Sequence, residues 1–262
     1  MSETPTNLTF LNLLQELRAL GEFAHFAQRT WTRPIGKADS RNARSVLLIP
    51  GFLAGDPVLY PFSHWLRACG HRVFFPGILT NIDCPRHAID RLSRILCDFS
   101  DQAQDKLVVI GHSLGGIYAR ELARRFPDRV EQVILLGAPI KEPLKHSNPY
   151  VRAIASLTRR VHESTRGCEG ELATVCGVNQ AGPPLGVPET LIYSKSDGVV
   201  DWTSCIESGP DVEAIEVQST HCGLPYNLDA MRVIRERIER ERIERRGRGA
   251  GRTTRDSHPA LA

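Results

Sequence analysis

At 262 residues the chain is long enough to bury one sizeable core, and single α/β domains of this size are common. Hydrophobic residues make up 41% and charged residues 24%, ordinary globular composition without a run of about 18 apolar residues that would read as a spanning helix. The net charge of +3 belongs to the C-terminus, where ten Arg face five acidic residues from Arg232 onward; the remainder carries −2, so the core does not read as a nucleic-acid binder.

The first residues, Met1-Ser2-Glu3-Thr4-Pro5, lack a basic stretch, and the apolar positions that follow are broken by Asn12, Gln15, Glu16 and Arg18. No secretory signal is expected, and a cytoplasmic protein is. Leu8, Leu11, Leu14, Phe23 and Phe26 fall at helical spacing, which predicts an amphipathic helix over Leu8 to Phe26. Its polar face is mixed rather than basic, so it is expected to pack on the domain edge rather than on a membrane. Residues 1–43 thus read as an N-terminal helix and linker.

Apolar runs then alternate with helical patterns. Strands are expected at Ser45–Ile49, Arg72–Phe75, Leu107–Ile110, Val130–Leu136, Thr190–Tyr193 and Ala214–Val217. Helices are expected near Tyr60–Cys69, Arg86–Phe99 and Leu114–Phe126, with a last one from Pro225 to about Arg246. Strands apolar throughout and separated by helices predict an α/β fold, a mostly parallel central sheet with helices on both faces. Residues 139–188 interrupt the alternation with one helix, Tyr150–Val161, and Gly- and Pro-rich sequence; this reads as a small lid insertion in a domain spanning 44–246. The segment 247–262 has no apolar periodicity and reads as a basic disordered tail, whose charge allows weak contact with an anionic membrane surface.

Gly111-His112-Ser113-Leu114-Gly115-Gly116 contains a Gly-x-Ser-x-Gly pattern, common in itself. Its setting gives it meaning: it follows an apolar strand directly and opens directly into a helix, where a sharp turn needs small residues on both sides. Ser113 then sits at a helix N-terminus, which favours developing negative charge. A serine nucleophile needs a base and the base needs an orienting acid, each placed after a late strand. Asp197 lies in the turn after the Thr190 strand, and His221 in the loop after the last strand. The other eight His fall in helices, the insertion, the tail or the Ser113 turn, where His112 is expected to pack or hydrogen-bond rather than react. Asp201 is a rival acid but is also placed to cap a helix beginning at Trp202. For the oxyanion, the backbone N–H of Leu114 and that of Phe52, in Pro50-Gly51-Phe52-Leu53-Ala54-Gly55, are the candidate donors.

Taken together, Pro50-Gly51-Phe52, the Ser113 motif, Ser194-Lys-Ser-Asp-Gly-Val-Val-Asp-Trp202 and His221-Cys-Gly-Leu resemble the α/β-hydrolase superfamily, particularly bacterial triacylglycerol lipase and esterase-like members, over roughly residues 44–240. The resemblance implies a serine esterase working through an acyl-enzyme on a small-molecule ester or lipid, with no metal or organic cofactor; the near-neutral core adds the expectation of no nucleic-acid partner. Ser113 would attack, His221 would carry the proton and Asp197 would hold the imidazole. Where many lipases have a His before the first glycine of the oxyanion turn, this chain has Pro50, which weakens a specific lipase label. Thioester or amide hydrolysis and acyl transfer would use the same residues, and a non-catalytic binding protein could share the fold. Leu144, Ile154 and Leu157, with Phe52, Leu53 and Trp202, are candidate lining for an apolar acyl group, or else ordinary core. The seven Cys form no C-x-x-C pair, and their odd number argues against a full disulfide framework. Cys205 with Cys222, and Cys168 with Cys176, could bridge or remain thiols, the latter being the ordinary cytoplasmic state.

Overall fold

The computed structural model describes residues 8–32, 43–141, 145–166 and 185–250. Six strands, β1 (Ser45–Ile49), β2 (Arg72–Phe74), β3 (Leu107–His112), β4 (Val130–Leu136), β5 (Glu189–Tyr193) and β6 (Val212–Glu216), form one sheet in the order β2-β1-β3-β4-β5-β6. Every pairing is parallel. The four central strands are buried almost throughout because helices cover both faces, which is why they read as continuous apolar runs rather than alternating ones.

The alternation reappears in where the side chains go. Leu47, Ile49, Val109, Val133 and Leu135 point to a cluster shared with α4 (Pro85–Ala103) and α5 (Leu114–Arg125), through Ile89, Leu92, Tyr118 and Leu122. Val46, Leu48, Val108, Ile110 and Ile134 point the other way, to Phe62 and Leu66 of α3 (Tyr60–Ala68) and Met231, Ile234 and Ile238 of the last helix, α7 (Leu228–Ala250). Phe26 joins this second cluster from the N-terminal helix, which comprises α1 (Phe10–Gln15), a 3-10 turn (Glu16–Arg18) and α2 (Ala19–Thr32). It ends six residues beyond the predicted Phe26.

Most element boundaries differ from the sequence pattern by a few residues, and in the C-terminal half two helices run on furthest. α6 (Pro149–Arg166) is longer than the predicted Tyr150–Val161, and α7 runs to Ala250, past the Arg246 at which apolar spacing fades. Arg and Glu are good helix formers and pair across one turn, as Arg235 does with Glu239 at 2.9 Å, so α7 continues where its packing face ends. Residues 251–262 of the expected tail lie outside the described residues, as do Leu144, Cys168 and Cys176. Among the described residues no helix is long and apolar enough to cross a membrane.

Candidate active site

The sheet's carboxyl edge brings the predicted residues together. β3 ends at His112, and Ser113 turns the chain into α5 with φ 54° and ψ −121°, a left-handed conformation that an L-residue holds at a cost of about 1–3 kcal/mol. The turn persists because its surroundings fix it: Ser113 N–H donates to Leu136 O (2.8 Å) and Ser113 O accepts from Gly116 N–H (2.9 Å). It also closes tightly enough that a Cβ at Gly111 would overlap Gly115 backbone, and one at Gly115 would overlap Ile49 and Pro50 carbonyls. Ser113 therefore stands at the head of α5, raised out of the sheet, on the wall of a cavity it shares with His221.

His221 lies in the loop after β6, and its Nδ1 is 2.6 Å from Asp197 Oδ2. Asp197 is fixed in turn by Val199 and Val200 N–H, both donating to Oδ1 at 2.8 Å. Both side chains are buried, at 5% and 2% exposure for His221 and Asp197. Burial pushes the imidazole pKa down, but the Asp197 charge and hydrogen bond, joined by the charge of Glu16, hold it above its ordinary value. Room for the pair comes from Gly137 (φ +57°), where a Cβ would stand 3.2 Å from His221 Nδ1 and 3.3 Å from Asp197 Oδ2. Asp201 goes elsewhere: its Oδ1 accepts from Thr203 N–H (3.0 Å) and Oγ1 (2.8 Å), capping the turn at Trp202–Cys205.

His112 meets His221 from below, with ring centroids 4.9 Å apart. Its Nε2 is 3.0 Å from His221 O, and a carbonyl only accepts, so Nε2 carries the proton. Burial, followed by the nearby His221, pushes the His112 pKa down to about 3, which keeps the ring neutral. Its expected supporting role matches this geometry.

The turn predicted to supply an oxyanion donor lies against Ser113, since a Cβ at Gly51 would stand 3.1 Å from Ser113 Cβ. Phe52 and Leu114 both line the cavity. Leu114 opens α5, so its N–H has no carbonyl a turn back to bond. Asn81, buried at 2% exposure, braces the turn from behind in three ways. Its Nδ2 donates to Pro50 O (2.7 Å), its N–H to Ala54 O (2.7 Å), and its O accepts from Leu53 N–H (3.1 Å).

The cavity encloses about 510 Å³, within the range of small-molecule sites. Ile154 of α6, Phe52 and Leu53 line it as predicted, with Val58, Ile82 and Ile117 adding apolar wall. Two of the candidates do not line it. Leu157 is 63% exposed and does not line the cavity, because it lies on the flank of the α6 stripe, Val151, Ile154, Ala155 and Thr158, that faces it. Trp202 is buried against Tyr193 (ring centroids 5.6 Å), with Lys195 over its ring, and so belongs to the core behind Asp197. Cys205 and Cys222 are both free thiols.

The residue that sequence reasoning missed is Glu16. From the N-terminal helix its Oε1 accepts from Gly198 N–H (2.8 Å) and His221 N–H (3.0 Å), and its Oε2 from Cys222 N–H (2.8 Å). Glu22 accepts from Thr220 N–H (2.8 Å) and Ser219 Oγ. A lone Glu on a helix, 205 residues from its His221 partner, carries no local signal of this.

A family model described as the alpha/beta hydrolase fold matches residues 102–163, which include the Ser113 turn. The monoacylglycerol lipase of Paleococcus ferrophilus superposes over 78% of this chain and 95% of its own at TM-score 0.55 and 12% identity. The chain has the α/β-hydrolase fold. Two curated proteins share shorter stretches with this chain. Homoserine O-acetyltransferase of Thermus thermophilus is 35% identical over 79 residues, 30% of this chain and 20% of that protein. Pimeloyl-[acyl-carrier protein] methyl ester esterase of Nitrosomonas europaea is 31% identical over 83 residues, 32% of this chain and 31% of that protein. The chain thus matches less than a third of the length of either.

Proposed function

We propose that the protein is a serine hydrolase that cleaves carboxylic esters of apolar acyl groups through Ser113, His221 and Asp197. The observation that carries the reading is one apolar cavity whose wall holds both the strained Ser113 and His221, the latter 2.6 Å from a buried carboxylate. Ser113 Oγ attacks the ester carbonyl as His221 Nε2 takes its proton; Asp197 keeps the Nδ1–H tautomer and stabilises the imidazolium. The N–H groups of Phe52 and Leu114 receive the oxyanion. Collapse of the tetrahedral intermediate expels the alcohol with the proton from His221, and water then releases the acid by the same steps. The apolar lining favours an acyl chain over a charged acid.

Labelling with a fluorophosphonate tests this directly: the wild type labels, and Ser113→Ala and His221→Ala do not. A wild type inert to the probe overturns the assignment. The likeness to an O-acetyltransferase as well as an esterase supports a second reading, acyl transfer to an acceptor other than water. Product analysis with matched ester, thioester and amide substrates, with and without added alcohols, distinguishes the two.

A further inference from the structure

We propose that Glu16 is a positioning residue of this site: one carboxylate, carried in by the N-terminal helix, ties the acid loop to the base loop and so fixes Asp197 against His221. The proposal rests on the serine-hydrolase reading. β5 and β6 run in register only to Tyr193 and Glu216. Beyond them the two loops are held by Val217 N–H on Tyr193 O (2.9 Å), by Ser194 Oγ on Ser219 O (2.6 Å) and by the Asp197–His221 contact itself. Glu16 closes the far end, taking Gly198 N–H from the acid loop and His221 and Cys222 N–H from the base loop.

His221 is thereby held at both main-chain groups by side chains from distant elements. Glu16 takes its N–H, and His112 donates to its O, which Leu224 N–H also approaches at 3.4 Å. The docking is shaped on both sides. A Cβ at Gly198 would overlap Asn12 O, and one at Gly223 would overlap the Glu22 carboxylate, so the loops present glycine where the helix comes closest. The helix passes through its 3-10 turn at Glu16–Arg18. Asn148 adds a bridge, its Nδ2 donating to Thr9 O (3.0 Å) and Gly198 O (3.1 Å).

A tether that is also an anion supports the imidazolium. The groups facing His221 are Asp197 from the loop after β5, His112 from the end of β3, and Glu16 from the N-terminal helix; Glu22 lies beyond, against Cys222. The Cys222 thiol is pushed up to about 12, by burial first and then by Glu16, and stays neutral. His112 is neutral as well, which leaves Asp197 and Glu16 as the acidic groups acting on the imidazole.

The test compares Glu16→Ala, Glu16→Gln and the exposed neighbour Gln15→Ala, with rates normalised to the sites titrated by fluorophosphonate. Glu16→Ala lowers kcat on p-nitrophenyl butyrate about 10- to 100-fold with KM changed less than about threefold, as loss of alignment requires. Glu16→Gln keeps a carbonyl acceptor and recovers kcat to within about fivefold, but its acidic limb of kcat/KM moves down by roughly half a pH unit or more, because imidazolium has lost a neighbouring anion. Gln15→Ala leaves both unchanged. A titrated kcat for Glu16→Ala within about twofold of wild type overturns the proposal. The His221 imidazole titration, read by NMR and assigned with His221→Ala, needs no turnover. An unchanged titration in Glu16→Gln overturns the proposal even in a protein inert to esters and phosphonate, whereas that inertness overturns the hydrolase reading.

Discussion

Replacing Asp197 by Asn changes one atom, and the consequence can be worked through from the contacts around it. Oδ1 faces two donors, Val199 and Val200 N–H, each at 2.8 Å, so the Asn carbonyl oxygen stays there and its NH2 replaces Oδ2, 2.6 Å from His221 Nδ1. Two N–H donors cannot share that line. The imidazole must move its proton to Nε2, where it can no longer accept the proton of Ser113. A wrong tautomer of this kind costs about 10³- to 10⁴-fold in kcat, or roughly 4–5.5 kcal/mol. Asp201→Asn is the internal comparison: its Oδ1 caps Thr203 N–H at 3.0 Å, and Asn caps as well as Asp, so kcat stays within about twofold. The assay is p-nitrophenyl butyrate hydrolysis per phosphonate-titrated site. Equal and small losses in the two variants, or the larger loss at Asp201, refute the reasoning.

Gly137→Ala places a Cβ 2.7 Å from Leu224 Cδ1 and 3.2 Å from His221 Nδ1 at φ +57°. The backbone strain alone is about 1–2 kcal/mol, so Tm falls by roughly 2–8 °C and kcat drops with it; a wild-type melt and rate contradict this. Asn81→Ala leaves Pro50 O without its 2.7 Å donor behind the oxyanion turn, and a loss of about 1–3 kcal/mol in stability with kcat reduced more than KM is expected. Unchanged kcat would separate Asn81 from the oxyanion turn. Acid stability follows from His112 and His71, whose pKa values burial lowers to about 3 and about 4. The unfolded chain gains these protons below the unperturbed value of about 6.5 while the folded one does not. Their contribution is therefore full above that pH and is lost as pH falls toward 4. His221 shifts the opposite way: its contribution is full below the unfolded value and is lost as pH rises through its raised folded pKa. Urea unfolding at pH 7, 6, 5 and 4 should show a declining ΔG, and a flat profile would exclude the mechanism.

Much of this was legible from the chain itself, for physical reasons. The central strands bury both faces, so Ser45–Ile49 and the Val133–Leu136 part of the fourth strand stand out as apolar runs. The Ser113 turn is legible because its closeness demands glycine at fixed offsets. Asp197 and His221 each sit a few residues past a strand end, where topology delivers them to the same edge. What escaped depends on contacts with no sequence period. Trp202 could not be assigned to core or cavity until Tyr193 was seen stacked on it, and Leu157, three residues from Ile154, misses the cavity only by standing on the flank of the stripe that faces it. Glu16, on a helix outside the recognisable motifs, reads as one more polar residue of an amphipathic face. Asn81 likewise has only tertiary partners.

The bond from Cys222 N–H to Glu16 spans 206 residues, and it orders events during synthesis. The helix that carries Glu16 leaves the ribosome 182 to 206 residues ahead of its amide partners. Until the loop beyond β6 emerges, Glu16 lacks two of its three amide partners and Glu22 lacks Ser219 and Thr220, and the long loop that must be shut makes these contacts slow to form relative to local helices and adjacent strands. The Asp197–His221 pair is thus braced from the Glu16 side only after the loop beyond β6 has been made, by a helix translated long before it.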